Sequence, residues 1–244
     1  IVLVALVPSP LRAAALTVSA ASSLQRALTE VTAAYAAETK DIITLNFGAT
    51  GALAQQILQG APVDVFVAAA TPPLDDLAKQ GALLLGTRRV IATNALVLVV
   101  PAASLGVTGF ADLARPAVRR IAVGEPRTVP AGQYAAATFA ALRLTEVVAA
   151  KLIFGQSVRQ VVTMVATGDV DAGVVFATDA RATPGVRLVA EANPNSHAPI
   201  IYAAAVVKAS KVADAARRLT TYLATPEAQA VLVRWGFQPA PGPS

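Results

Sequence analysis

The sequence predicts an α/β protein with two lobes. From residue 16 onward, short β-branched or apolar runs alternate with helical runs, a pattern typical of largely parallel sheets flanked by helices. Two longer extended runs, IATNALVLVV (91–100) and PIIYAAAVV (199–207), lie where the chain can leave one lobe and later return to it. The 244 residues, 55% of them hydrophobic, are enough for one large or two smaller buried cores.

The two extended runs set the expected lobe boundaries. We expect residues 16–92 and 203–244 in one lobe and residues 93–202 in the other. A hinge is expected near residues 91–95 and 200–204. A ligand is then expected in the cleft, at the carboxyl ends of the strands, where helix N-termini converge.

The first fifteen residues, IVLVALVPSPLRAAA, are interpreted as a signal-peptide remnant. They combine an apolar stretch broken by prolines with small residues of A-x-A type, and the basic start of a signal peptide is missing. Cleavage is expected near Ala15, and the alternative is an N-terminal strand with a loop. No other segment has the length of a transmembrane helix.

The first lobe begins with a strand (LTVSA) and a helix (SLQRALTEVTAAYAAET) that places Leu24, Leu28, Val31 and Tyr35 on one face. The pattern then predicts, in order, a strand and turn (ITLNFGAT), a short helix (GALAQQILQG), a buried strand (VDVFVAAA) and a helix that starts with proline and ends with glycine (PPLDDLAKQG).

The same alternation continues through the second lobe and back into the first. Predicted strands and helices follow in ALVLVVP, RRIAVG, GQYAAATFAALRL, SVRQVVTMVATG, DAGVVFATDA and IIYAAAVV. A helical pair, KVADAARRLTTYLAT and PEAQAVLVRWGF, precedes a proline-rich tail.

Composition excludes several classes of site. The chain has no cysteine and a single histidine, which excludes thiol catalysis, disulfides, thiolate metal sites and a histidine-rich metal site. The formal charge is +5, but the arginines and lysines are scattered and only 5% of the residues are aromatic. Nucleic acid is therefore not an expected partner, and a weak positive field favours small anions instead.

Four stretches share one construction, in which small or hydroxyl residues lead from a strand or loop into a helix. They are SAASSL (19–24), FGATGAL (47–53), TVPAGQY (128–134) and GQSVRQV (155–161). Each helix start offers unpaired backbone N–H groups and the positive end of a helix dipole, which suits an anion. Each one alone is explained by an ordinary cap. Four together, two in each lobe, predict a shared anion site.

The chain resembles the periplasmic molybdate-binding proteins of ABC importers, a family of two-lobed solute-binding proteins. The resemblance covers nearly all of residues 16–238. It rests on AASSL, GAPVDVFVAAA, AVGEPRTVPAGQYA, VRQVVTMVATGDVDAGVVFATDA and the terminal GF, of which VPAG-x-Y is the most specific.

The resemblance implies a type II-like periplasmic-binding-protein fold, in which each lobe is a mostly parallel sheet flanked by helices. It implies a periplasmic monomer that captures molybdate or tungstate and delivers it to a membrane permease. Neither an enzyme activity nor a cofactor is implied, and no side chain is expected to ligate a metal cation directly, because the metal arrives as its oxyanion.

The family's oxyanion is held by hydroxyls and helix-start amides, and those positions fall on Ser23, Thr50, Ala131 and Val158. Ser22 is the neighbour of the first serine, and Thr50 stands where the family more often has serine. The resemblance further implies that Pro130 fixes the turn and that Gly132 lets the anion approach closely.

One position departs from the family pattern. The tyrosine whose hydroxyl donates to an oxo atom is replaced by Phe176, which has no donor. One lost hydrogen bond to a charged acceptor costs about 1.5–3 kcal/mol, or roughly ten- to a hundredfold in affinity. A binding protein for another tetrahedral oxyanion, such as sulfate or chromate, is therefore a second hypothesis.

Two further hypotheses come from other classes of protein. The ligand-sensing domain of a transcription regulator can share a two-lobed fold, but it needs a DNA-binding segment. A hydrolase would pair His197 with Ser22 or Ser23, although His197 is expected to be exposed in a loop. Asp64 is interpreted as an acceptor of backbone amides and Asp179 as a local helix cap.

Overall fold

The computed structural model describes residues 13–240, which form a two-lobed α/β fold built on two five-stranded sheets. Residues 1–12, most of the expected signal-peptide remnant, lie outside this range. The strands are β1 (Ala15–Ala21), β2 (Ile42–Gly48), β3 (Val65–Ala68), β4 (Arg89–Thr93), β5 (Leu96–Pro101), β6 (Ile121–Gly124), β7 (Leu152–Gly155), β8 (Ala172–Phe176), β9 (Val186–Glu191) and β10 (Ile201–Val206).

Helices cover both sheets. They are α1 (Gln25–Thr39), α2 (Thr50–Leu58), α3 (Thr71–Lys79), α4 (Pro130–Ala141), α5 (Thr145–Ala149), α6 (Val158–Ala166), α7 (Ala177–Arg181), α8 (Ala213–Tyr222) and α9 (Pro226–Arg234). A 3₁₀ turn (Ser22–Leu24) leads into α1. Among the described helices, none combines the length and the apolar character that a membrane span requires.

The first sheet, which defines the first lobe, has the strand order β2-β1-β3-β10-β4. Strand β1 pairs in parallel with β2 and with β3, whereas β10 pairs antiparallel with β3 and with β4. Strand β1 begins at Ala15, and Ala14 already bonds to the sheet because Ile42 N donates to Ala14 O at 2.8 Å.

The second sheet, which defines the second lobe, repeats this arrangement with the order β7-β6-β8-β5-β9. Strand β6 pairs in parallel with β7 and β8, and β5 pairs antiparallel with β8 and β9. Four of the five strands in each sheet therefore point the same way. Those parallel strands end at the same edge of each sheet, so the helices that follow them start together there.

The reversed strand of each sheet, β5 or β10, belongs to one of the two crossing runs. The chain leaves the first sheet after Thr93 and enters the second at Leu96, and it returns between Glu191 and Ile201. The run 91–100 is thus not one continuous extended segment but two strands in different sheets, separated by Asn94 and Ala95. The lobe boundaries at 92/93 and 202/203 remain predictions, and each falls within a strand of the first sheet, one residue before the end of β4 and two residues into β10.

The hydrophobic core confirms which face of the first helical segment was predicted to be buried. Leu24, Leu28 and Val31 are fully buried and Tyr35 is nearly so, and their face packs on the first sheet. Strands β7 and β9 were not predicted from the sequence pattern. Both lie at an edge of the second sheet and keep part of their apolar surface exposed. Strand β7 is only four residues long, and β9 mixes charged with apolar residues.

Candidate functional site

A small cavity of about 10 Å³ lies between the lobes, where the starts of four helical segments meet. Its lining includes Ser22, Ser23 and Thr50 from the first lobe and Pro130, Val158 and Phe176 from the second. No charged side chain lines it among the described residues. This volume is far below the range of about 300–1,000 Å³ typical of drug-sized ligands and close to the space that one water molecule needs, so the cavity excludes larger molecules.

Ser22 and Ser23 occupy the 3₁₀ turn after β1, and both are more than 90% buried. The turn has no side-chain cap, and the N–H of Ser23 has no hydrogen-bond partner among residues 13–240. The Ser23 hydroxyl lies 3.0 Å from the hydroxyl of Tyr202 in β10. Ser23 therefore presents an amide and a hydroxyl at the cavity, and the hydroxyl is held from behind.

Thr50 is the first residue of α2 and is fully buried. Its Oγ1 accepts a hydrogen bond from Ala69 N at 3.1 Å. Because a hydroxyl carries only one hydrogen, this contact leaves the Thr50 hydrogen free to donate. Thr50 in place of serine thus keeps the donor, and its oxygen is tied to the chain that follows β3.

Ala131 belongs to the first turn of α4 and follows directly after two residues that line the cavity, Val129 and Pro130. Pro130 has no N–H, and the Ala131 N–H has no hydrogen-bond partner in the described part of the chain. The next amides are occupied, because Gly132 N and Gln133 N both donate to Val129 O. Ala131 therefore supplies the one unpaired amide of this turn.

The expected role of Gly132 is wrong. A Cβ at this position would lie 2.0 Å from the carbonyl oxygen of Gly124 at the end of β6. Glycine is therefore required here because α4 packs directly on the backbone of the second sheet. The close approach concerns this packing and not the anion.

Val158 is the first residue of α6 and lines the cavity. The side chain of Ser157, the N-cap, accepts from Gln160 N at 3.2 Å, so it caps a later amide of the turn. The Val158 N–H has no partner among residues 13–240. A capped helix thus still leaves the Val158 amide directed out of its N-terminus.

Phe176 ends β8 and is 1% exposed. Its ring packs edge-on against Tyr202, with ring centroids 5.9 Å apart, and against Tyr134, with centroids 6.2 Å apart. The side chain adds no donor to the cavity. A tyrosine hydroxyl is nevertheless close, because Tyr202 lies behind Phe176 and reaches Ser23.

The lobes make a direct backbone contact beside the cavity. Gly51 N in α2 donates to Thr128 O in the second lobe at 2.9 Å. A Cβ on Gly51 would lie 2.9 Å from both the Cα and the carbonyl oxygen of Thr128. The two chains approach this closely because residue 51 is glycine.

Asp179 in α7 is 4% exposed, and its Oδ2 has no hydrogen-bond partner. The prediction that it caps a helix is wrong, because α7 has no side-chain cap. Burial raises the pKa of Asp179 to about 7, although the charges of Arg159 and Arg26 act in the opposite direction. Its carboxyl therefore sits in a site that solvates charge poorly.

Two other residues named from the sequence serve structure. Asp64 accepts from Thr17 N at 2.8 Å and from the Ser210 hydroxyl at 2.6 Å, which ties β1 to the segment after β10. His197 is half-buried and not exposed as expected, because its ring packs on Tyr134 with centroids 5.5 Å apart. The structure gives the Ser23 hydroxyl no bond to His197.

The sequence did not identify Tyr202 and Asn94, which hold the site from behind. Asn94 Nδ2 donates to Tyr202 at 3.2 Å and to Thr178 Oγ1 at 2.9 Å, and all three side chains are buried. One signal was available, since Asn94 and Tyr202 are hydrogen-bonding residues inside largely apolar crossing runs. Residues 13–240 contain no group of acidic and histidine side chains that could hold a metal cation.

The family described as bacterial extracellular solute-binding protein matches residues 16–238. The chain belongs to this family. The lipoprotein YvgL of Bacillus subtilis, provisionally described as an ABC transporter substrate-binding protein, is 40% identical over 224 residues, which cover 91% of this chain and 85% of YvgL.

Two further relatives of this solute-binding protein are named for molybdate. The molybdate-binding protein ModA of Haemophilus influenzae is 34% identical over 231 residues, which cover 92% of this chain and 90% of that protein. The structure of the periplasmic molybdate-binding protein of Azotobacter vinelandii superposes with a TM-score of 0.83 at 26% identity, over 93% of this chain and 100% of that chain.

Proposed function

We propose that this solute-binding protein captures molybdate and delivers it to the permease of an ABC importer, with tungstate as an alternative cargo. The observation that carries the proposal is the small uncharged cavity between the lobes. Hydroxyls and helix-start amides surround it, and no arginine or lysine lines it among the described residues. The names of the similar ModA proteins support the choice of molybdate.

The donors of the site are Ser23, Thr50, Ala131 and Val158. Molybdate is fully deprotonated at pH 7, so its oxygens accept hydrogen bonds and offer none. Phosphate carries a proton at that pH and needs an acceptor, so a site made only of donors rejects it through an unpaired polar contact. Fixed neutral donors therefore select both the size and the protonation state of the ion.

Binding closes the two lobes around the ion. The crossing runs near residues 91–95 and 200–204 act as the hinge, and the contact between Gly51 N and Thr128 O forms on closure. Sealing the cavity removes water and strengthens each bond from amide or hydroxyl to the dianion. The closed form is then the one that the permease recognises.

The protein acts outside the cytoplasmic membrane, in the periplasm or its equivalent, after secretion by an N-terminal signal peptide. Its membership of the extracellular solute-binding family supports this location. We infer that it is a monomer with no cofactor, that it has no enzyme activity and that it does not bind nucleic acid.

The second candidate function is the capture of another tetrahedral oxyanion, such as sulfate or chromate. One observation favours it. Phe176 lines the cavity with an apolar ring where the molybdate-binding family has a tyrosine hydroxyl. A smaller oxyanion would need one hydrogen-bond donor fewer.

Isothermal titration of the purified protein with molybdate, tungstate, sulfate, chromate and phosphate tests both candidates. We expect tight binding of molybdate and tungstate and, for phosphate, binding too weak to give measurable heat. Tighter binding of sulfate or chromate would establish the second candidate. The absence of heat and of any thermal shift with all five ions would contradict both.

A pair of variants separates the site from the rest of the fold. Ser23→Ala removes one hydroxyl donor and should weaken molybdate binding by roughly ten- to a hundredfold. Thr29→Ala removes an exposed hydroxyl from α1 that bonds only to Gln25 O, and it should leave the affinity unchanged. Equal effects of the two substitutions would place the ion elsewhere.

A further inference from the structure

Three buried side chains connect the crossing runs to the cavity. Asn94 lies between β4 and β5, Tyr202 lies in β10, and Ser23 lies at the cavity. The Tyr202 hydroxyl is 3.2 Å from Asn94 Nδ2 and 3.0 Å from Ser23 Oγ. The hydrogen bonds therefore run without a gap from the hinge to the ligand site.

The orientation of the Asn94 amide is fixed by its neighbours. Ala95 N lies 2.9 Å from one amide atom of Asn94, and a backbone N–H can only donate, so that atom is the oxygen. The other atom is then the nitrogen, and its two hydrogens go to Thr178 Oγ1 at 2.9 Å and to Tyr202. Asn94 is thus a donor toward Tyr202 and cannot accept from it.

This orientation decides the direction of the next bond. The phenol has one hydrogen, its oxygen accepts from Asn94, and Ser23 Oγ is its one other partner among the described residues, so the hydrogen is satisfied by donation to Ser23 Oγ. Burial raises the pKa of Tyr202 well above its usual value, which keeps the phenol protonated. The rings of Phe176 and Phe237 pack edge-on against Tyr202 and hold it in place.

We propose that Asn94 and Tyr202 are positioning residues that force the Ser23 hydroxyl to donate into the cavity. We call Asn94, Tyr202 and Ser23 the hydrogen-bond relay. Since Ser23 Oγ accepts from Tyr202, its own hydrogen is left for the ligand. The inference rests on the proposed function, and it adds that the hinge sets which protonation state of an oxyanion the site accepts.

Thr50 reaches the same result by a different route. Ala69 N occupies its oxygen, so its hydrogen also faces the ligand. A serine or threonine hydroxyl without such a partner can rotate and accept a hydrogen bond, and would then tolerate a protonated oxyanion. With one lone pair of each hydroxyl occupied from behind, donation to the ligand is the bond that satisfies each hydroxyl hydrogen, and a protonated ion that donates to a hydroxyl leaves that hydrogen unpaired.

Asn94→Asp reverses the relay while nearly preserving its shape. A carboxylate accepts from Tyr202, so the Tyr202 oxygen becomes free to accept from Ser23, and Ser23 then turns its lone pairs to the cavity. We expect molybdate and sulfate to bind at least about tenfold more weakly. The affinity for phosphate, measured by competition at millimolar concentration, should fall much less than that for sulfate, or should rise.

The ratio of affinities separates the relay from the added charge. At pH 8 sulfate and hydrogen phosphate are both dianions, but only hydrogen phosphate carries a proton. Repulsion by the introduced carboxylate alone, or a general loss of structure, weakens both ions equally. A changed ratio of sulfate to phosphate affinity is therefore specific to the direction of the Ser23 hydroxyl.

Tyr202→Phe provides the second variant, because it cuts the relay without adding charge. We expect a several-fold loss for molybdate and a smaller ratio of sulfate to phosphate affinity, and Asn94→Asp should not change the ratio further in the Tyr202→Phe background. Thermal melts establish that each variant is folded, and if Asn94→Asp does not fold, Tyr202→Phe alone decides.

An unchanged ratio in a folded variant would overturn the relay. Failure of the unsubstituted protein to bind any of the oxyanions would instead overturn the proposed function, so the two failures are distinguishable.

Discussion

The two lobes supply different kinds of donor to one cavity. The first lobe offers hydroxyls, from Ser23 and Thr50, in addition to backbone amides. The second lobe offers amides at Ala131 and Val158, and its large side chain at the cavity, Phe176, has no donor. The helix fixes the direction of an amide, whereas a hydroxyl needs a partner to orient it. The first lobe therefore depends on supporting hydrogen bonds, and the second depends on where its helices begin.

The lobes also differ in how they hold one of their carboxylates. In the first lobe, each oxygen of Asp64 accepts a hydrogen bond, one from Thr17 N and one from the Ser210 hydroxyl. In the second lobe, Asp179 is buried with an unpartnered oxygen. A buried carboxylate without its bonds destabilises the folded protein when it ionises. The second lobe thus carries a cost that the first avoids.

The largest expected effect comes from Asp179→Asn. The pKa of Asp179 is raised to about 7, so the folded protein keeps a proton that the unfolded chain releases near pH 4. Stability therefore falls as the pH rises from about 4 to about 7, by up to about 4 kcal/mol from this group. The variant should be more stable than the parent at pH 8 by up to that amount and equal to it below pH 4.

Urea unfolding of both proteins at pH 4 and pH 8 measures this difference. Asp64→Asn is the matched control in the first lobe. It replaces a carboxylate that accepts two hydrogen bonds by a neutral amide that can accept only through one oxygen, so this variant should be less stable than the parent at pH 8. A loss of stability at pH 8 in both variants would show that the Asp179 carboxylate is well solvated after all.

Val158→Pro tests the amides of the second lobe. Val158 is the first residue of α6, where proline is favoured, and the extended Ser157 before it is compatible with proline. The substitution removes the backbone N–H of residue 158 and keeps α6 intact. Molybdate affinity should fall by roughly ten- to a hundredfold, measured by titration calorimetry. Val158→Ala retains the N–H, so a comparable loss in that variant would assign the effect to the lost side chain.

Gly51→Ala tests the contact between the lobes. The new Cβ would lie 2.9 Å from the backbone of Thr128, so the lobes must separate slightly. Overpacking of this kind typically costs about 1–3 kcal/mol, which would appear as a roughly five- to a hundredfold loss of molybdate affinity. Stability without the ion should change little. Gly106→Ala, where no atom lies within 4 Å, is the control, and equal affinities in the two variants would contradict closure through this contact.

The sequence predicted the fold and the meeting of the helix starts because both follow from local patterns. The alternation of apolar and helical runs predicted the inner strands of both sheets. The small residues before each helix indicated where unpaired helix-start amides would lie. The structure brings Ser23, Thr50 and Val158 to one cavity, with Ala131 beside it. Their role as ligands remains a prediction.

The rest depends on contacts between distant parts of the chain. Tyr202 meets Ser23 across 179 positions, and no periodicity encodes such a pairing. The role of Gly132 was misread because its neighbour Gly124 belongs to a strand and not to the ligand site. Asp179 was misread as a cap because its surroundings come from distant parts of the chain, including the charges of Arg26 in α1 and Arg159 in α6.

Phe176→Tyr makes the second lobe more like the first by giving it a hydroxyl. The ring is 1% exposed and lines the cavity, so the new hydroxyl would add a donor next to those already there. Molybdate should bind about tenfold more tightly. This gain is at the lower end of the range for a hydrogen bond to a charged acceptor, because the new hydroxyl must also lose its water. Phe154→Tyr, on the exposed edge strand β7, adds the same atom far from the cavity and should change nothing. An unchanged affinity in Phe176→Tyr would mean that the donors already present, with the Ser23 hydroxyl held by Tyr202, satisfy the ion without a hydroxyl at position 176.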